Sequence, residues 1–246
     1  MGDEFDVRRY CCQNPRCVAH VAFDAEHKLV LGVVVGRRDN AAALKLMRDL
    51  SAKVPKLAPA PERQPTKKKK KRLRHVLLLV TDGYLGYPTS VRLAFRGAGG
   101  SPPPPPPGLS YAVVRKRYDD RGRVVAVERG AACGTGRRQL QRALAGSPVS
   151  TVANTAFVER HNATDRQRNA RKTRRTYRFS KSWCVHEAVT YFTYYAYNFC
   201  WTVRTLRRKR PDGTHAPGTP AMSAGLADHV WPLREWLRQV VTGTSS

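Results

Sequence analysis

In 246 residues, 41% of them hydrophobic, this chain carries 45 Lys and Arg against 18 Asp and Glu, a formal net charge of +27. Such an excess repels itself in a compact state and points to a polyanionic partner, nucleic acid ahead of an anionic membrane surface. The apolar runs at 29–36 and 76–80 are too short to cross a bilayer and no leader-like segment opens the chain, so a cytoplasmic, reducing location is expected.

The first 36 residues read as strands. Residues 18–23 are apolar, Asp24-Ala25-Glu26-His27 is turn-like, and 28–36 is a β-branched run. The spacing predicts a hairpin whose second strand is buried on both faces. Asp39 or Asn40 then caps a helix over 41–54, with Ala43, Leu46, Met47 and Leu50 on one stripe. Cys12, Cys17 and His20 do not have a usual zinc-ligand spacing, so the six cysteines read as free thiols.

Residues 55–74 hold four prolines and the run KKKKKRLR, which cannot pack; this insert is expected to be disordered. Residues 75–80 form a third apolar strand ending in Thr81-Asp82-Gly83. That position places the Asp82 carboxylate at the carboxyl edge where open α/β sheets put their ligands, although a D-G pair is also an ordinary turn. A short helix is expected over 87–95. Residues 96–110 form a second low-complexity insert around six consecutive prolines, also expected to be disordered. Residues 111–118 and 123–128 suggest a hairpin, and 130–145 shows no usable pattern.

Residues 154–175, NTAFVERHNATDRQRNARKTRR, predict a five-turn helix capped by Asn154 or Thr155. Past Phe157 and Val158 its only apolar side chains are Ala163 and Ala170. Arg160, Arg166, Arg168, Arg171, Lys172, Arg174 and Arg175 face only Glu159 and Asp165. Phosphate is the natural cover for such a surface. Glu159, Asn162 and Arg166 share one face, so an acid stands beside phosphate-binding groups. A glutamate in a first helical turn also favours the positive end of the dipole without any further role. A core helix follows from about 179, with Val185, Ala188, Val189, Phe192, Tyr195, Ala196 and Phe199 on its apolar stripe. Thr219-Pro220 caps a short segment, and Trp231, Leu233, Trp236 and Leu237 let the tail dock.

TDGY at 81–84, VERHN at 158–162, the RRTxxFSKxxxxH pattern at 174–186, YNFCW at 197–201 and the tail at 219–231 together resemble insertion-sequence transposases of the bacterial InsB-like DDE class. The likeness covers most of residues 18–54, 75–95 and 150–236. It implies an α/β fold with a ribonuclease-H-like mixed sheet flanked by helices. The catalytic domain would span 1–206, interrupted by the two inserts at 55–74 and 96–110, with 207–246 as a tail carrying a short docking segment.

The resemblance further implies an Asp-Asp-Glu triad holding Mg2+ or Mn2+, with Asp82 as the second acid and Glu159 as the third. Asp3 is the first acid by position, with Asp24 the alternative; Asp24's place in a hairpin turn favours Asp3. Arg160, Asn162, Arg166, Arg171, Lys172, Arg174 and Arg175 would hold double-stranded DNA by its phosphates. The expected activity is strand cleavage and transfer by a homo-oligomer on DNA, in the nucleoid. An inactive DNA-binding remnant and a nuclease of the same fold are the rival expectations.

Overall fold

A computed structural model of the chain describes residues 17–54, 77–95, 108–172, 177–178 and 180–242. The insert at 55–74, residues 96–107 of the second insert, Asp3, Arg174 and Arg175 lie outside the described residues. The fold is mixed α/β, with small sheets and interspersed helices. The chain divides into two compact units, Met1–Arg38 with Phe157–Ser246, and Asp39–Ala156.

The first unit opens with β1 (Cys17–Asp24) and β2 (Leu29–Arg37), an antiparallel hairpin with a register shift between Ala22 and Phe23. The expected turn forms between them. Asp24 Oδ1 accepts from Glu26 N at 2.8 Å and His27 N at 3.4 Å, and Lys28 takes a left-handed φ of 58°. Most of β2 is buried, as its unbroken apolar run predicts, and Val30, Val33 and Val35 form the core with Tyr194 and Tyr197. The two tyrosines come from α5 (Trp183–Cys200).

The face of α5 that is buried differs from the expected stripe. His186, Thr190, Tyr194, Tyr197 and Asn198 are buried, whereas Val185 and Phe192 are 42% and 37% exposed. Hydrogen bonding explains the choice. Asn198 Oδ1 accepts from Val30 N and its Nδ2 donates to Val30 O, both at 2.9 Å, so a side chain satisfies a strand's backbone. Part of the apolar stripe is met by the tail instead. Phe192 packs edge-on against Trp236 of α6 (Leu233–Thr242), and Phe199 meets Trp231.

Asn198→Ala removes both partners of a buried backbone pair. Unsatisfied groups of this kind cost about 1–3 kcal/mol each, so a loss of about 2–6 kcal/mol is expected. A urea midpoint unchanged from the parent chain would disprove it.

The second unit holds α1 (Asn40–Lys53), β3 (Leu77–Asp82), α2 (Gly86–Ala94), β4 (Leu109–Tyr118), β5 (Val124–Ala131) and α3 (Arg137–Ala145). Asp39 caps α1 by accepting from Ala42 N at 2.9 Å, and the helix buries Ala43, Leu46, Met47 and Leu50, the expected stripe. Each of its larger apolar side chains contributes about 1.5–3 kcal/mol by leaving water. The sheet runs β3-β4-β5, with β3 and β4 parallel and β4 and β5 antiparallel. Leu109 and Ser110 already belong to β4, so the second insert ends earlier than the expected boundary at 110. Strand pairing with Leu77 and Leu78 outweighs the low-complexity composition just before them.

Residues 130–145, unpatterned in sequence, contain α3. It has no side-chain cap and no fully buried residue; Leu140 and Leu144, one turn apart, pack against Ala112, Val114 and Ala153.

Candidate active site

Asp82 closes β3, paired with Val114 of the parallel neighbour, and its side chain is exposed. Its Oδ1 accepts from Tyr84 N at 3.0 Å, which bends the chain directly after the strand. Beneath it Tyr111, fully buried, meets Thr81 Oγ1 at 2.8 Å. Burial raises the Tyr111 pKa to about 12, so the phenol stays neutral and anchors the strand end. A Cβ on Gly83 would lie 3.0 Å from Arg115 Cγ, so the Arg115 side chain lies against this turn. Sequence reasoning missed Arg115, because only the parallel register of β3 and β4 brings it beside Asp82.

Glu159 is exposed in the first turn of α4 (Ala156–Arg168), where Asn154 Oδ1 accepts from Ala156 N at 3.2 Å. Glu159 belongs to the first unit and Asp82 to the second. Both offer carboxylate oxygen, the donor that Mg2+ or Mn2+ prefers. Among the described residues no group of three His, Cys, Asp or Glu side chains could hold a metal ion, and Asp3 lies outside them. Asp24, the alternative first acid, has its carboxylate engaged by its own turn and by His27 Nδ1 at 2.6 Å.

The basic segment is shorter than expected. α4 stops at Arg168, and a 3-10 turn, Ala170–Lys172, follows. Asn169 causes the break, because its Oδ1 accepts from Arg171 N at 3.1 Å and its carbonyl from Lys172 N at 2.9 Å. The tightened turn returns Lys172 to Asp165, with Nζ 2.7 Å from Oδ2 and only 11% and 4% of the two side chains exposed. Thr193 donates to Asp165 Oδ1 at 3.0 Å, Tyr194 donates to Asn162 Oδ1 at 3.0 Å, and Lys172 lies 4.4 Å from the Tyr194 ring centroid. Burial and the Asp165 carboxylate push the Tyr194 pKa upward. α4 therefore docks through a polar face, where an apolar stripe would be usual.

This docking sorts the expected phosphate ligands. Arg160 and Arg166 are exposed, Arg171 is half-buried, and Asn162 and Lys172 are turned to partners within the unit. Arg168 lies flat on Trp201, its Cζ 3.4 Å from the ring centroid. The sequence signal for that pair was weak, since the two lie 33 positions apart.

His161 is buried among Phe23, Tyr194 and Tyr197, at ring distances of 4.9, 5.3 and 4.5 Å. Its Nε2 finds no hydrogen-bond partner among the described residues. Burial lowers its pKa from 6.5 to about 4; Asp165 opposes the shift, while Arg168 and Lys172 add to it. The folded chain keeps this ring neutral where the unfolded chain protonates it. Stability is therefore full above pH 6.5 and falls as pH drops towards 4, by up to about 3 kcal/mol from this residue. His161→Phe should flatten the fall in urea midpoint between pH 7 and 4.5, and an equally steep fall in the variant would refute the assignment.

Among the described residues no helix is long and apolar enough to cross a membrane. Comparison with protein-family models, curated proteins and solved structures finds no match for this chain.

Proposed function

We propose that this chain is a DNA transposase of the DDE type, with a ribonuclease-H-like catalytic core that cuts and joins strands as a homo-oligomer on double-stranded DNA. The observation that carries the reading is the chain order of the two acids. A buried hairpin and helix precede a strand that ends in exposed Asp82 and runs parallel to its neighbour, and a later basic helix opens with exposed Glu159. The motifs TDGY and VERHN fall at those two positions.

Asp82, Glu159 and, as first acid, Asp3 would hold Mg2+ or Mn2+, which supplies a nucleophilic water and charge neutralisation at the leaving oxygen. The protein's own contribution is placement. The Tyr84 amide donates to the Asp82 carboxylate, and the Thr81–Tyr111 contact anchors the strand end that carries it. Arg115 beside that turn, and the exposed Arg160 and Arg166 of α4, would grip phosphates of the bound DNA. Positive charge there binds DNA without reading its sequence. The site of action is the nucleoid.

The test is a supercoiled plasmid and a labelled duplex incubated with the chain, with and without Mg2+. Mg2+-dependent nicking followed by joining of a 3′ end to a second duplex is the expected result. Nicking without joining would make the chain a nuclease, and binding without nicking would make it a remnant.

A further inference from the structure

A basic hairpin stands apart from the residues assigned so far. β6 (Arg208–Lys209) and β7 (His215–Ala216) pair antiparallel, Arg208 with Ala216 and Lys209 with His215. Residues 201–218 carry five basic side chains, Arg204, Arg207, Arg208, Lys209 and Arg210, against one acid, Asp212, a net of +4. That acid is occupied within the turn: Thr214 N and Oγ1 donate to its Oδ1 at 2.8 and 2.6 Å. Those bonds hold the Asp212 pKa below the usual carboxylate range. Asp212 therefore stays ionised within the turn, and the segment still keeps its net of +4.

The hairpin is also stiff for its size. Arg210 N donates to Thr214 O at 2.8 Å and Gly213 N to Arg210 O at 3.0 Å, with Gly213 in the left-handed region at φ 83°. Its base is fastened by Val203 N to Gly218 O at 2.9 Å and by close approach of Gly218 to the Leu206 carbonyl. Arg208 Nη2 donates to Met222 O at 3.0 Å, which ties one strand face to the body. Side chains alternate along an extended chain, so Arg207 and Lys209 lie on the opposite face, and Arg210 stands at the turn. All three are exposed, and none makes an ion pair among the described residues.

We infer that the 204–216 hairpin is a second DNA-contacting element, a basic ribbon that lies in a duplex groove and grips phosphate through Arg207, Lys209 and Arg210. A two-stranded ribbon fits the width of the major groove. The charge is uncompensated, as phosphate contacts require, and the rigid turn means little ordering entropy is lost on binding. The inference rests on the DNA reading above but not on its chemistry.

The experiment compares the unmodified chain with Arg207→Gln/Lys209→Gln/Arg210→Gln, measuring affinity for a labelled duplex across a salt series. A control, Lys45→Gln/Arg48→Gln/Lys53→Gln on α1, removes the same charge elsewhere. Each phosphate contact contributes about 0.9 to the slope of log affinity against log salt, so the hairpin variant should lose up to about 2.7. Its affinity should fall by roughly tenfold or more at moderate salt, and the control should change less. Equal losses in the two triple variants would overturn the inference.

Gly213→Val keeps every charge but strains the turn, since a β-branched residue avoids positive φ. It should weaken binding several-fold, and full affinity in that variant would overturn the claim that a formed ribbon is needed. Preference of the unmodified chain for single-stranded RNA over the duplex would overturn the groove assignment. If the unmodified chain does not bind the duplex at all, the DNA reading itself fails. If it binds and the hairpin variant binds equally, only the hairpin is excluded.

Discussion

Lys172→Met is expected to destabilise the first unit by about 3–5 kcal/mol, the usual penalty for leaving a buried charge without its partner. The Asp165 side chain is 4% exposed and has Lys172 Nζ at 2.7 Å. With the ammonium gone, Thr193 at 3.0 Å is a neutral donor and cannot replace it. Asp165→Leu/Lys172→Met removes both charges together and should recover most of the loss, because a desolvated pair contributes little net stability over apolar residues. Urea midpoints of the two variants and the parent measure this directly. Equal midpoints for Lys172→Met and the parent would mean the pair is solvated in solution. The same variants bear on DNA. An ammonium held by Asp165 is not offered to phosphate, so the double variant should keep the parent's salt slope, whereas an outward-facing Lys172 would lower it by about 0.9.

Where local chemistry decided the outcome, the sequence was readable. The Ala43, Leu46, Met47, Leu50 stripe is buried as expected, and of the two candidate caps, Asp39 and Asn40, the structure uses Asp39. The run 28–36 could only be a buried strand, and Asp24 with its three followers could only turn. Tertiary partners decided the rest. In α5 the periodic apolar stripe was real, yet the face turned inward is the one whose Asn198 satisfies Val30, 168 positions away. In α4, composition suggested five unbroken turns, and a single Asn169 side chain competing for backbone amides ends the helix early. α3 left no trace because its helix has neither a side-chain cap nor an apolar face wider than Leu140 and Leu144. For the candidate site, the Asp82 turn was legible from an apolar run followed by D-G. The inward role of Lys172 was not, since a pair seven positions apart across a helix break has no sequence period.

Glu159→Gln should abolish Mg2+-dependent nicking while leaving duplex affinity equal or slightly higher. Glutamine keeps the length and one carbonyl oxygen of the side chain but loses the charge that a hard cation requires of its ligand. Glu159 is exposed in the first turn of α4, so the substitution buries nothing and creates no cavity. Its structural cost includes the favourable interaction of an acid with the helix's positive end, about 0.3–1 kcal/mol. The two roles open to Glu159 therefore separate by magnitude. A dipole charge predicts a small drop in thermal midpoint and unchanged nicking. A metal ligand predicts the same small drop and loss of turnover by several orders of magnitude, because the reaction has no substitute for the missing oxygen donor. Affinity distinguishes a third case, damage to the basic surface, since Arg160 is adjacent and Arg166 lies two turns away on the same face. Measuring nicking, affinity and thermal midpoint on one preparation resolves all three. Full nicking activity in Glu159→Gln would remove Glu159 from the site, and with it the proposed triad.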